Sequence, residues 1–236
     1  MRIAVTRPEE DARPLTVKLE ALGHQVIAAP LLTIVPRADV TIPDRTWQAI
    51  VITSANAIRA LPAAGHLQSI RTLTVGPQSL EAARAAGFGK AQAHGGDVEG
   101  LARHMRATLN PRDGPILYLS GAETAGDLEA QLTSGGFECV RLVLYDAVSS
   151  STLGNVADSL RSGQVDAVLL YSPRTARIWQ ALCRAQSLSD EAAVPHYLCL
   201  SGNVAAVLPK AWNIHVSLTP DEAAMLDLLE QIARTR

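Results

Sequence analysis

The chain echoes itself, and that echo restricts its folds more than any other feature. Set against each other without a gap, residues 3–27 and 116–140 place Glu10 on Glu123, Ala12 on Ala125, Leu15 on Leu128, Leu19 on Leu132 and Gly23 on Gly136. Each copy opens with a short apolar run, continues with leucines at helical spacing, and closes on Gly before a second apolar run. That is the pattern of a βαβ unit. A further echo lays residues 167–177 over 49–59, with Ser172 on Ser54 and Arg177 on Arg59, while 198–207 follows 73–82 in pattern alone. Such self-likeness reads as a duplication, so two like units are expected.

Apolar runs at 3–5, 26–29, 49–52, 73–75, 91–93, 116–119, 139–144, 165–170, 196–200 and 214–216 alternate with helical patterns. This alternation argues an α/β fold, with parallel sheets covered on both faces. Residues 31–43, which include Pro36 and Pro43, read as an extended crossing between units. The stretch Leu142-Val143-Leu144-Tyr145-Asp146-Ala147-Val148 reads as the return. The expected organisation is an outer domain of residues 1–35 and 149–236, interrupted by an inner domain of residues 39–144, with linkers at 36–38 and 145–148. Each domain should own five strands. Thr6 or Arg7 is expected near the cap of the first helix. Thr219 is expected to cap the last one, with Pro220 at its first position.

The 236 residues are 47% apolar and 19% charged, with a net charge of −2. Such a chain can bury a full core and gives no reason to expect nucleic acid or a membrane as partner. Cys139, Cys183 and Cys199 stand far apart and read as core thiols in a reducing compartment. The first apolar run is too short for a signal peptide, and no run approaches the ~20 residues of a membrane span. A cytoplasmic location is expected. Phosphate-binding glycine motifs are absent, the six histidines show no metal-ligand spacing, and no G-x-S-x-G elbow occurs; no metal site is expected.

What recurs is the loop after each strand. Thr6-Arg7, Thr53-Ser54, Gly76-Pro77-Gln78-Ser79, Ser120-Gly121, Tyr171-Ser172, Ser201-Gly202-Asn203 and Leu218-Thr219 all sit between a strand end and a helix start. Ligands of parallel α/β sheets bind outside the carboxyl ends of the strands, where free N–H groups and helix dipoles favour anions. Ser, Thr and Asn at such places also serve as ordinary helix caps. Seven similar loops on two facing sheets suggest a cleft for a polyanion, able to open and close about the crossings. The contacts expected there are Thr6, Arg7, Thr53, Ser54, Gly76, Ser79, Ser120, Tyr171, Ser172, Arg174, Ser201, Gly202 and Asn203. Arg7, Arg174 and Arg177 supply the nearby positive charge, although surface arginines commonly form salt bridges. Tyr145 and Asp146 are the titratable groups at the return crossing.

Taken in order, several stretches carry a family likeness. They are residues 3–9 (Ile-Ala-Val-Thr-Arg-Pro-Glu), 51–57 (Val-Ile-Thr-Ser-Ala-Asn-Ala), 75–79 (Val-Gly-Pro-Gln-Ser), Leu144-Tyr145, 165–168 leading to Ser172-Pro173, and 200–205 (Leu-Ser-Gly-Asn-Val-Ala). Together they resemble the uroporphyrinogen-III synthase family over nearly the whole chain. The resemblance implies two flavodoxin-like domains joined by a two-stranded linker. It implies a monomeric hydro-lyase of tetrapyrrole and haem biosynthesis. The reaction would close linear hydroxymethylbilane to uroporphyrinogen III, with inversion of ring D and loss of water, using no metal or organic cofactor. The substrate would be a polycarboxylate tetrapyrrole, passed on in a transient handover from hydroxymethylbilane synthase. By matching position, Tyr145 would assist departure of the hydroxyl. Ser120-Gly121-Ala122 stands where many relatives carry an Arg-Gly pair, Val204 where they often have Thr, and Ser201 where they often have Gly. Two other classes stay open from the residues alone: a two-lobed small-ligand binding or sensor module without catalysis, and a nucleotide-sugar transferase with two Rossmann-like lobes.

Overall fold

The computed structural model describes residues 1–235 apart from Gly95 and Ala125. Gly95, and Ala125 of the echo, therefore lie outside the described residues. In chain order the first elements are β1 (Arg2–Val5), α1 (Glu9–Ala21), β2 (Gln25–Ala28) and β3 (Leu32–Pro36). Next come β4 (Ala49–Ile52), α2 (Ala55–Arg59), β5 (Thr72–Thr74), α3 (Pro77–Ala85), β6 (Ala91–Ala93) and α4 (Val98–Thr108). The second echo supplies β7 (Ile116–Gly121), α5 (Leu128–Ser134) and β8 (Cys139–Ser149). The chain ends with α6 (Asn155–Arg161), β9 (Ala167–Leu170), α7 (Pro173–Ala185), β10 (His196–Cys199), α8 (Gly202–Ala205), β11 (Asn213–Val216) and α9 (Glu222–Arg234).

The chain divides into two compact units, one of Met1–Thr33 with Val148–Arg236 and the other of Ile34–Ala147. The first holds a sheet in the order β11-β10-β9-β1-β2, and the second sheet has the order β3-β8-β7-β4-β5-β6. Within each unit the five core strands run parallel. All four residues of β4 and of β9 are buried, as expected of strands covered by helices on both faces. β3 lies along β8. Leu31 accepts from the Ser150 N–H and the Arg37 N–H donates to Leu144 O, so this pair is antiparallel.

The echo has a direct structural cause. Leu15 and Leu19 seat α1 on its sheet, Leu128 and Leu132 seat α5 on the other, and all four are enclosed. Gly23 and Gly136 take φ of 81° and 84° after their helices, the left-handed geometry that favours glycine. By the same echo β7 and β8 correspond to β1 and β2, and β4 corresponds to β9. Read in those terms both sheets share one order, with the first strand of the βαβ pair lying between its second strand and the later strands. This is the doubly wound order 2-1-3-4-5. Each unit thus joins the βαβ pair of one repeat to the later strands of the other repeat.

Some local expectations change. The last helix is capped by Asp221, whose carboxylate accepts from the Ala224 N–H at 2.9 Å. Thr219, the expected cap, instead donates its hydroxyl to Asp221 at 2.7 Å. Pro8, rather than Thr6 or Arg7, holds the cap position of α1, and no side chain bonds to that helix end. The strand expected at 139–144 runs on to Ser149 because it continues through the return crossing.

At the outer edge of the first unit, His196 Nδ1 and His215 Nε2 lie 3.0 Å apart across β10 and β11. One ring must donate and the other accept. Burial, and after it the neighbouring His196, lower the pKa of His215. Above the ordinary value of about 6.5 both folded and unfolded His215 are neutral. As pH falls through that value the unfolded chain binds the proton first, so stability declines and then levels off below the folded pKa. Thermal melts should therefore show a falling Tm from pH 7 to 5, with His215→Gln reducing the fall. A melting temperature flat over that window would contradict this linkage.

Candidate active site

In the second unit, strand order reverses between β7 and β4. Chains leaving a parallel sheet in opposite directions at such a point leave a crevice outside the strand ends. A hollow of about 490 Å³ lies there. Thr53 and Ser54 after β4, Val75 after β5, Gly96–Glu99 after β6, and Gly121, Glu123, Thr124 and Gly126 at and after β7 form its wall, with Tyr145 from β8. Tyr145 is 7% exposed.

Behind the wall, hydroxyls and one guanidinium knit the strand ends together. Thr53 Oγ1 and Tyr118 Oη are 3.2 Å apart. Burial chiefly raises the pKa of Tyr118, which keeps its phenol protonated. Arg141 on β8 donates from Nε to Ser120 Oγ at 2.9 Å, and from Nη2 to the carbonyls of Gly121 at 2.8 Å and Ala122 at 2.7 Å. The Ala122 N–H in turn donates to Tyr145 O at 2.8 Å. Beyond Tyr145, Asp146 accepts from Arg37 Nε and Nη2 at 2.8 and 2.9 Å, and this pairing lowers the Asp146 pKa.

The lining is acidic. Asp97, Glu99 and Glu123 contribute to it, and no Lys or Arg stands among the described lining residues. Asp97 also caps α4, accepting from the Gly100 N–H at 2.7 Å. Sequence reasoning did not single out these acids. Glu123 was visible as the echo partner of Glu10, and Asp97 as the end of a glycine turn, but neither pattern shows which side chains share a hollow.

Of the residues expected from sequence, Tyr145, Thr53 and Ser54 are brought together here. Ser54 is also the cap of α2, accepting from the Asn56 N–H at 3.2 Å. Gly76 begins α3 beside Val75, and Ser79 is buried within that helix. Ser120 is buried at the end of β7 in the grip of Arg141.

The remaining residues occupy the first unit, whose corresponding reversal lies between β1 and β9. Thr6 is buried and donates its hydroxyl to Leu169 O at 2.7 Å. The Arg7 guanidinium lies 4.6 Å from the centre of the Tyr171 ring. It also donates to Glu222 at 3.1 Å and stands 3.7 Å from Asp11. Its side chain is 11% exposed. Burial strongly raises the Tyr171 pKa. Ser172 caps α7, accepting from the Thr175 N–H at 3.1 Å, and Arg174 reaches Ser149 Oγ at 3.5 Å. Ser201 begins α8 without a side-chain capping bond, and Gly202 and Asn203 are exposed beside it. Among the described residues no group of three His, Cys, Asp or Glu side chains could hold a metal ion, and no helix is long and apolar enough to cross a membrane.

Comparison with known proteins places these features. Residues 13–230 match a family model described as uroporphyrinogen-III synthase HemD. A uroporphyrinogen-III synthase from Chlorobaculum parvum is 26% identical over 208 residues, covering 81% of this chain and 83% of that protein. Among solved structures, the chain is similar to a uroporphyrinogen-III synthetase from Helicobacter pylori, with a TM-score of 0.66 and 13% identity over 98% of this chain and all of that one. It is also similar to a mutant uroporphyrinogen III synthase from the extreme thermophile Thermus thermophilus, with a TM-score of 0.60 and 16% identity over the full length of both.

The Arg7 cluster generates a stability prediction. Arg7→Met would remove the guanidinium that lies 3.7 Å from Asp11 and 3.1 Å from Glu222, leaving Glu222 with Lys18 at 2.6 Å as its remaining cation. Chemical denaturation should show a loss of about 1–3 kcal/mol, the range for hydrogen bonds to charged groups. The loss should shrink in a Glu222→Gln background, since the two residues share one interaction. An Arg7→Met protein as stable as its parent would reduce the cluster to a surface contact.

Proposed function

The chain belongs to the uroporphyrinogen-III synthase family, and on that premise we propose a mechanism in which hydroxymethylbilane is closed at the hollow of the second unit. The supporting observation is that hollow itself, set at the strand-order reversal with Tyr145 in its wall. The reaction is a hydro-lyase step that needs no cofactor. Water leaves the terminal hydroxymethyl group and the pyrrole nitrogen carries the resulting cation. Ring D attacks the cationic methylene carbon through its substituted α carbon, giving a spiro centre; the bond from that α carbon to the neighbouring bridge then breaks and re-forms at the free α carbon, which inverts the ring and releases a proton.

Tyr145 donates its phenolic proton toward the departing hydroxyl and recovers one when the closed ring loses its proton. A phenol is a weak acid, so this assistance is partial. Much of the rate comes from holding the chain in the conformation that favours spiro attack and from keeping water off the reactive cation.

The charges of the wall fit this division of labour. Asp97, Glu99 and Glu123 repel carboxylates, so the acidic arms of the substrate stay out of the hollow. The same acids favour the electron-poor end where positive charge develops. The arms are instead taken up by N–H groups at the strand ends, Gly76 among them, whereas Thr6, Ser79 and Ser120 are buried and offer no side chain to an arm. Thr53 and Ser54 border the reacting end. We further propose that the enzyme acts as a monomer in the cytoplasm and receives its labile substrate by transient handover from hydroxymethylbilane synthase.

The test supplies freshly made hydroxymethylbilane and resolves the type I and type III isomers of the product. Type III is expected; appearance of the spontaneous type I isomer alone would end the proposal. Tyr145→Phe should lower turnover while folding stability stays within about 1 kcal/mol of the parent. Turnover equal to the parent would remove Tyr145 from the mechanism.

A further inference from the structure

We infer that Gly121 is a positioning residue for Tyr145, a bare stretch of backbone on which the phenol is laid, and that Arg141 fixes that platform in place. The inference rests on the assignment of Tyr145 as the proton donor.

Three observations converge on it. First, β7 and β8 pair evenly from Ile116 opposite Cys139 to Ser120 opposite Val143, and then the register shifts so that Gly121 faces Tyr145. Leu144 is the additional residue. Val140, Leu142 and Leu144 pack on one face, and Tyr145 and Ala147 pack in that same cluster. The bulge therefore changes the phase of side-chain alternation between Leu144 and Tyr145 and turns the phenol onto the face occupied by Leu117 and Leu119. Re-aiming a side chain in this way is a recurrent use of β-bulges beside active sites.

Second, the place into which Tyr145 is turned exists because residue 121 has no side chain. A Cβ on Gly121 would lie 2.6 Å from Tyr145 Cζ, 2.7 Å from Cε2 and 2.9 Å from the hydroxyl oxygen. The ring and its hydroxyl thus rest directly on the glycine. The Gly121 backbone has no positive φ, so the missing side chain serves the neighbouring ring and not a turn. Alanine can adopt this backbone unstrained, and only the phenol has to move.

Third, the platform is clamped. Arg141 holds the Ser120 hydroxyl and the Gly121 and Ala122 carbonyls with three hydrogen bonds, and the Ala122 N–H returns a bond to the Tyr145 carbonyl. Among the described residues Arg141 forms no ion pair with a carboxylate. Its charge-assisted bonds, among the stronger kind available, go to the two strand-end carbonyls and the hydroxyl at the bulge. A cation with three neutral acceptors at one bulge suits the task of holding that bulge still.

The experiment is a double-mutant cycle on turnover, using Gly121→Ala, Tyr145→Phe and the pair, with thermal melts on each. Gly121→Ala is expected to lower kcat about tenfold, less than the ~100-fold low end for a well-matched general acid because a phenol is a weak one, with KM within about twofold and Tm close to the parent. In the Tyr145→Phe background the same alanine should cost less than about twofold, because the hydroxyl it displaces is already gone. Arg141→Gln provides a second arm should the alanine protein fold poorly, and its kcat loss should likewise vanish in the Tyr145→Phe background. Parental kcat for Gly121→Ala, or losses that multiply in full in the double variants, would overturn the platform while leaving Tyr145 as the donor. A Tyr145→Phe enzyme as fast as the parent would instead refute the donor assignment, and the platform with it.

Discussion

The seam between β4 and β7 governs the second unit, as its counterpart between β1 and β9 governs the first. At the seam Ala49, Ile50, Val51 and Ile52 pair in parallel with Ile116, Leu117, Tyr118 and Leu119, and all eight are buried. Such pairing joins residues far apart in sequence, so its loop-closure cost is met before the contacts reward it. Near-continuous apolar runs on both strands are what make the closure favourable, because each strand is covered by helices from two sides. The seam also reverses the direction in which chains leave the sheet, and so it opens a hollow beside those strand ends. The buried core and the hollow therefore arise from the same strand pairing.

Duplicated halves have diverged at the equivalent places. At the first unit's seam, Arg7 stacks on Tyr171 and meets Glu222 and Asp11. In the second unit the corresponding positions are Ser120 and Thr53, short side chains that occupy less of the crevice. A duplication supplies two strand-order reversals of one design, and their side chains have diverged. Charge follows the same logic. The first unit encloses a guanidinium among carboxylates, whereas the hollow of the second exposes carboxylates alone among its described charged residues.

Much of this was legible from the residues. The strand at 49–52 matches β4 to the residue, since a buried parallel strand reads as an apolar run with sharp polar ends; 91–93 also matches β6, although Gln92 there is exposed. The echo located both βαβ pairs because buried leucines and a left-handed glycine leave the same trace wherever the motif recurs. Caps were less legible. Thr219-Pro220-Asp221-Glu222 offers two acceptors at adjacent places, and only three-dimensional closure selects Asp221. The acids of the hollow were illegible for a different reason. Asp97 and Glu99 stand at the start of α4 and Glu123 follows β7, and nothing local to either stretch reports the other.

The bulge was equally hidden, and it carries the most consequence. A parallel strand alternates its side chains with period two, so the residues of β8 that precede it predict the wrong face for Tyr145. Extended without interruption, the alternation of Val140, Leu142 and Leu144 would place Asp146 on that face and send Tyr145 to the face of Arg141 and Val143. A phenol there would meet the enclosed packing around Tyr118 rather than bare backbone at Gly121. One additional residue in one strand thus exchanges the two faces from Leu144 onward. It leaves Asp146 free to pair with Arg37 on the crossing and puts Tyr145 in the wall of the hollow. An insertion that shifts register is destabilising unless its loose ends are tied, and the three bonds from Arg141, with the Ala122 to Tyr145 bond beside them, tie them at the point of the shift. The guanidinium of one strand is in this sense the condition for the phenol of the same strand, four residues on, to face the hollow.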